Sequence, residues 1–269
     1  MQGAVFSDNV AIVTGASSGI GRALALQLAA QGAWLALAGT RVDALEAVAE
    51  QCRLQGGRAL AVPTDVADPN QCAALVARTR EEYGRLDTLV NNAGISQWAL
   101  FEEIRDLSTF DAMLRVNYLG AVYCTHHALP LLRESRGRLA AVSSLAGRTG
   151  VPTRSGYAAS KHAMTGFFDS LRIELAGSGV SVTVVYPGFV ATEIRTRATG
   201  ADGKPLGASP VQEGKVMTAE ECAGRIVVAL ERRRRELVMT PRGRMGLWLK
   251  LIAPGLVDRI ARNAIEKGR

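Results

Sequence analysis

Tyr157 and Lys161 stand four residues apart, a spacing that places both side chains on one face of a helix. A free phenol titrates near ~10 and is a poor base at neutral pH. A nearby ammonium group changes that. At ~4 Å and an effective dielectric of ~20 the pair interacts by about 4 kcal/mol, or roughly three pKa units before desolvation is subtracted. A helical Tyr-x-x-x-Lys can therefore make a phenol that both gives and takes a proton near pH 7. Taken alone the pattern is weak, because the same spacing arises on solvated helix faces. Its meaning depends on what else the fold brings beside it.

A second stretch has the chemistry of phosphate binding. Gly15-Ala16-Ser17-Ser18-Gly19-Ile20-Gly21 follows an apolar run, Val10 to Thr14, and opens an apolar-periodic stretch, Arg22 to Gln31. Strand, glycine loop and helix in that order give such a loop its meaning. Gly15 permits a tight turn. Gly19 lets the backbone approach a pyrophosphate at the helix N-terminus, where N–H groups and the helix dipole favour anions. Gly21 would allow close packing of helix on strand. The next apolar run, Ala33 to Gly39, ends on Thr40-Arg41. The acidic residue that would accept hydrogen bonds from an adenosine ribose is missing there. An arginine suits a 2′-phosphate, which it meets as a planar charged fork. The plainer readings are an ordinary glycine-rich turn and a solvated arginine.

These residues need elements to hold them. Helix is expected over 43–55, strand over Arg58 to Thr64, and a helix capped by Asp68 that runs towards Tyr83. Leu86 to Val90 reads as a fourth strand ending in Asn91-Asn92-Ala93-Gly94. Ser108 is expected to cap a long helix with Asn117 in its middle. Arg138 to Val142 is a fifth strand closing on Ser143-Ser144, and Ser181 to Tyr186 a sixth, followed by Pro187-Gly188. Thr218 caps a further helix, 219–232, and Glu236 to Met239 is a last strand. Strand and helix alternating over this length call for an α/β fold, a doubly wound parallel sheet covered on both faces. Ligands bind such sheets beyond the C-terminal strand ends. The glycine loop, Asp65, Asn91, Ser144 and Pro187 all fall there, on one rim.

Composition narrows the function classes. The net charge is +7, which would suit nucleic acid or an anionic membrane. Much of the excess lies in Arg232-Arg233-Arg234-Arg235 and the tail, without zinc-finger spacing or an aromatic-studded basic groove, so no nucleic-acid partner is expected. Cys52, Cys72, Cys124 and Cys222 are scattered, which fits buried thiols in a reduced cytoplasm and implies no metal site. Met1 to Asn9 has no signal-peptide pattern. No apolar run is long enough to span a bilayer.

In order along the chain, Thr14-Gly15-x-x-x-Gly19-Ile20-Gly21, Asn91-Asn92-Ala93-Gly94, Asn117, Ser144, Tyr157-x-x-x-Lys161 and Pro187-Gly188 resemble the short-chain dehydrogenase/reductase family, over roughly residues 8 to 240. The resemblance implies a single Rossmann-like domain, 1–240, with a substrate loop at 192–218 and a C-terminal helical extension at 241–269. It makes Tyr157 the general acid/base, with Lys161 lowering its pKa and holding the nicotinamide ribose. Ser144, thirteen residues before the tyrosine, orients the substrate oxygen, and Asn117 supports a water-linked proton relay to Lys161. Around the cofactor it places Gly15, Ser17, Ser18, Gly19, Ile20, Gly21, Thr40, Arg41, Asp65, Val66, Asn92, Ala93, Gly94, Tyr157, Lys161, Pro187, Gly188, Val190 and Thr192. Asp65 and Val66 match the positions that contact adenine, and Thr192 one that holds the carboxamide. Arg41 stands where NADP-preferring members carry a basic residue, although Ser18 replaces a second basic residue that many of them have. NADP(H) is the expected cofactor, ahead of NAD(H). The expected function is hydride transfer between nicotinamide and a ketone or secondary alcohol. Its alternatives are a lyase or epimerase that retains its cofactor, and a silent dinucleotide-binding regulator.

Trp98, Phe101 and Phe189 near the rim hint at a hydrophobic substrate. Residues 196–214 read as a mobile loop and candidate lid. The resemblance also implies that the helices carrying Asn117 and Tyr157 meet a second copy across a two-fold axis through their apolar outward faces, as a homodimer or homotetramer. In the tail, Met245, Trp248, Leu249, Ile252, Leu256, Ile260 and Ala264 recur at helical steps, with Arg242, Arg244, Lys250, Arg259, Arg262 and Lys267 around them. Broken at Pro254-Gly255, this stripe is expected to pack on the protein near the site, over the cleft or against another subunit, with peripheral membrane contact as the alternative.

Overall fold

The computed structural model describes residues 5–210 and 216–266, with side chains to residue 263. Seven strands form one parallel sheet: β1 (Val10–Thr14), β2 (Trp34–Gly39), β3 (Arg58–Pro63), β4 (Thr88–Asn91), β5 (Arg138–Val142), β6 (Ser181–Tyr186) and β7 (Glu236–Val238). Their spatial order is β3-β2-β1-β4-β5-β6-β7. The order reverses between β1 and β4, and a crevice opens at the C-terminal ends there.

The strands inside the sheet are buried on both faces, so they read as nearly continuous apolar runs. Alternation still sorts their side chains. Ala11 and Val13 pack into the layer of α1 (Gly19–Ala29), α2 (Val42–Leu54) and α7 (Ala219–Glu231), beside Leu24, Leu45 and Ile226. Val10 and Ile12 pack into the opposite layer of α3 (Pro69–Tyr83), α5 (Gly120–Glu134) and α6 (Ser155–Glu174), beside Leu75, Cys124 and Phe168. All four cysteines are buried free thiols within these layers.

Local caps follow side-chain chemistry. The Asp68 carboxylate accepts the Asn70 and Gln71 N–H groups, and Thr218 Oγ1 accepts that of Glu221. Ser108 does not cap its helix. It is the first residue of α4 (Ser108–Leu114), and the Asp106 carboxylate accepts both its N–H, at 2.9 Å, and its hydroxyl, at 2.7 Å. A charged acceptor two residues earlier outcompetes the hydroxyl. The expected long helix is also interrupted. Between α4 and α5, Arg115–Leu119 form a π-turn around Asn117.

Within the expected substrate loop, residues 192–210 run beside the cleft. Trp98 N–H donates to the Thr199 carbonyl and Thr199 N–H to that of Ser96, both at 2.9 Å, so the segment lines the cleft as a tied wall. Residues 211–214 of the expected lid lie outside the described residues. The tail forms two helices, α8 (Pro241–Ile252) and α9 (Pro254–Glu266). The break falls where Pro254-Gly255 stands, as expected, because Pro254 cannot continue α8. Lys267 and the side chain of Ala264 lie outside the described residues. Among the described residues no helix is long and apolar enough to cross a membrane.

Candidate active site

The C-terminal strand ends open into a cleft of about 650 Å³. Its floor is the turn after β1. Gly15 and Gly19 both take positive φ, 65° and 54°, a region side chains rarely enter. A Cβ on Gly15 would come 2.8 Å from Ala93 Cα, and one on Gly21 would lie 2.3 Å from the Gly15 carbonyl oxygen. Gly21 thus packs α1 against the loop and Asn92 instead of against a strand, and it does not line the cleft. Ser18, at the head of α1, makes no side-chain cap. The first N–H groups of the helix are therefore left for an anion, and the glycines keep the approach clear. These features fit the pyrophosphate of a dinucleotide. Thr14 Oγ1 accepts the N–H groups of Asn92 and Ala93 at 3.0 Å, and Asn92 Nδ2 donates to the Thr14 carbonyl. The turn after β4 is thereby clamped to the turn after β1.

At the adenosine end, Arg41 Nη2 donates to the Ser17 hydroxyl at 3.2 Å and the Ser17 carbonyl at 3.3 Å. Glu193 also lies 3.8 Å from it. Asp65 and Val66 line the cleft beside it, and Pro187, Gly188, Val190 and Thr192 form the wall after β6. Of the residues expected from sequence, only Gly21 and Asn117 do not line the cleft.

At the catalytic end, α6 presents Tyr157 and Lys161, both buried. Lys161 Nζ donates to the Val142 carbonyl at 2.9 Å and lies 5.8 Å from the Tyr157 ring centroid. Ser143 and Ser144 diverge. The Ser143 hydroxyl contacts the Lys161 carbonyl and Thr165 Oγ1, both at 3.2 Å, turning into α6. Ser144 Oγ accepts the Ala146 N–H at 3.1 Å, which leaves its own proton for the cleft. Asn117 is fully buried. Its amide donates to the Ile95 carbonyl and to Ser160 Oγ, and its oxygen accepts the Ile95 N–H at 2.8 Å. Both amide protons are committed, so the Asn117 side chain ties the turn after β4 to α6. Gly94 is the spacer: a Cβ there would come 3.1 Å from Asn117 Oδ1 and 3.5 Å from Lys161 Nζ.

One residue escaped the sequence reading. Arg154, only 7% exposed, places its guanidinium 4.1 Å from the Tyr157 ring centroid and 5.4 Å from that of Trp98, and donates to Ser96 Oγ at 2.7 Å. The available signal was its position three residues before the tyrosine, one helical turn away. Burial pushes the Tyr157 phenol up. The Lys161 ammonium and then the Arg154 guanidinium overcome it, helped by the Ser144 hydroxyl, and the phenol ends below its ordinary value. Burial also holds Lys161 below the usual ammonium range, against the pull of Tyr157. A depressed phenol, a hydroxyl donor and two buried cations suit proton transfer at an oxygen.

A family model described as short chain dehydrogenase matches residues 9–202. The chain belongs to that family. It is an oxidoreductase, and its fold binds a nicotinamide dinucleotide. Among curated relatives, the 11-beta-hydroxysteroid dehydrogenase 1A of Arabidopsis thaliana is 39% identical over 265 residues, covering 94% of this chain and 76% of that protein. Dehydrogenase/reductase SDR family member 7B of Mus musculus is 34% identical, covering 99% of this chain and 84% of that one. A short chain dehydrogenase/reductase from Burkholderia phymatum, solved in complex with NAD, superposes with a TM-score of 0.82 at 26% identity, covering 93% of this chain and 95% of that one.

Proposed function

We propose that this short-chain dehydrogenase transfers a hydride between NADP(H) and the ketone or secondary alcohol of a hydrophobic compound, with Tyr157 as general acid/base. The observation that carries the chemistry is the buried phenol of Tyr157 beside Lys161, Arg154 and Ser144 in one cleft. Bound nicotinamide supplies or accepts the hydride. In the reductive direction the chain's own residues do the rest. Ser144 and Tyr157 donate hydrogen bonds to the carbonyl oxygen as negative charge grows there. Tyr157 then gives up its proton, and the phenolate left behind is held by Lys161 and Arg154. Oxidation runs through the same groups in reverse.

Arg41 supports the NADP reading. Its guanidinium rests on Ser17 of the glycine loop, where a 2′-phosphate could replace the weak contact to Glu193. Support for an apolar substrate comes from Phe189, which lines the cleft and stacks on Trp98 at 6.5 Å. Several relatives are named for hydroxysteroids. Phe101 is not part of this wall: it is largely exposed and stacks on Phe110. A panel of steroid, aromatic and aliphatic ketones, each run with NADPH and with NADH, tests the proposal. Consumption of NADPH with the apolar ketones is the expected result. No oxidation of either cofactor across the panel would remove the reading.

A further inference from the structure

The tail helices turn their apolar side chains outward. On α8, Met245, Trp248, Leu251 and Ile252 are 66–82% exposed, and on α9, Leu256 and Ile260 are 45% and 54% exposed. The opposite side of α8 makes the contacts with the protein. Leu247 packs on the core layer of α6, and a Cβ on Gly243 would come 2.9 Å from Leu145. Lys250 Nζ donates to the Arg148 carbonyl at 2.9 Å. The helix therefore rests on the turn that follows Ser144, beside the cleft, while its larger apolar residues meet solvent.

Charge selects the partner. Residues 241–269 carry seven basic residues and two acidic, Asp258 and Glu266, and Arg242, Arg244 and Arg259 are exposed. In a two-fold contact between copies, the same basic rim would face itself. An anionic bilayer surface complements the rim and takes up the apolar ridge together. Trp248 beside aliphatic residues suits the boundary between headgroups and acyl chains. We propose that α8 and α9 seat the enzyme peripherally on an anionic lipid surface, Trp248, Leu251 and Ile252 entering the interface on one side of the Pro254 bend and Leu256 on the other. The cleft then opens close to the phase in which an apolar ketone concentrates.

Co-sedimentation of the full chain with vesicles tests this. Binding is read without substrate or cofactor, so it stands or falls apart from ketone reduction. Vesicles of phosphatidylcholine with about one-third phosphatidylglycerol should retain the enzyme about tenfold better than phosphatidylcholine alone, and added salt should release it. Trp248→Ser/Leu251→Ser/Ile252→Ser should lower retention by about tenfold or more. It should leave the melting temperature and the turnover of a water-soluble ketone unchanged. Should that variant fold poorly, Arg242→Glu/Arg259→Glu should lose the preference for anionic vesicles. Retention equal on both lipids would overturn the proposal. So would unchanged binding by folded variants, or a triple variant whose main effect is a smaller mass in light scattering, which would mark a subunit contact.

Discussion

The guanidinium of Arg154 sits 4.1 Å from the centre of the Tyr157 ring, so the phenol touches a second buried cation besides Lys161. The two cations reach it from the N-terminal edge and the first turns of α6. The Ser144 hydroxyl reaches it from the turn after β5, and Arg195, after β6, acts on Arg154. In a low-dielectric pocket such charges favour phenolate over phenol. Arg154→Leu should therefore raise the Tyr157 pKa. The rising limb of the pH profile for alcohol oxidation should move to higher pH, as should the falling limb for ketone reduction. At neutral pH the oxidative kcat/KM should drop by roughly tenfold or more. Arg154→Lys should recover part of the shift. A profile that keeps its inflection while activity falls would assign Arg154 to packing alone.

Tyr157→Phe removes the hydroxyl and keeps the ring, Lys161 and the cleft. Turnover should fall by ~10²–10⁴-fold or further, because proton transfer and oxyanion stabilisation are lost together. NADPH affinity, followed by cofactor fluorescence, should stay near that of the parent. Turnover close to the parent's would eliminate the proposed acid/base.

Arg41 is 39% exposed at its side chain and makes long contacts to Ser17 and Glu193. A charge-assisted contact to phosphate contributes about 1.5–3 kcal/mol, or roughly one to two decades in affinity. Arg41→Ala should weaken NADPH by that amount in a titration and leave NADH nearly unchanged. Equal losses for both cofactors would show that Arg41 does not read the 2′-phosphate.

Gly15→Ala combines two costs, a side chain at φ 65° and a Cβ 2.8 Å from Ala93 Cα. The positive φ costs about 1–3 kcal/mol on its own. Thermal unfolding should show a lower Tm, and dinucleotide affinity should fall as the loop shifts to relieve the clash. An unchanged melting curve with unchanged affinity would contradict the tight joining of the two turns.

The expected homo-oligomer can be tested at the outer faces of the central helices. Tyr118 and Phe167 stack edge to face at 6.1 Å and remain partly accessible, and Ile173 on α6 is 76% exposed. Light scattering at micromolar concentration should give the mass of a dimer or tetramer. Charge placed there by Ile173→Glu should shift that mass towards the monomer.

The amino-acid sequence by itself determined the sheet, the glycine loop and the Tyr157–Lys161 pair. Each rests on local chemistry: buried β-branched and aliphatic runs, glycines where φ must be positive, and two residues one helical turn apart. It also placed the strand ends on one rim, since a parallel sheet puts every C-terminal end on the same side. What only the tertiary structure decided depends on partners distant in the chain. Arg154 carries no motif of its own, and only the fold encloses it between Ser96, Trp98 and Tyr157, where burial gives its charge leverage. Asn117 stands in the middle of an expected helix, and only the π-turn shows its side chain reaching Ile95 and Ser160, 22 and 43 residues away. In the tail, helical spacing showed that apolar residues share a face. It could not show which face the protein covers. That was set by Leu247 and Gly243 finding the core and Leu145, which left Trp248, Leu251 and Ile252 to the solvent.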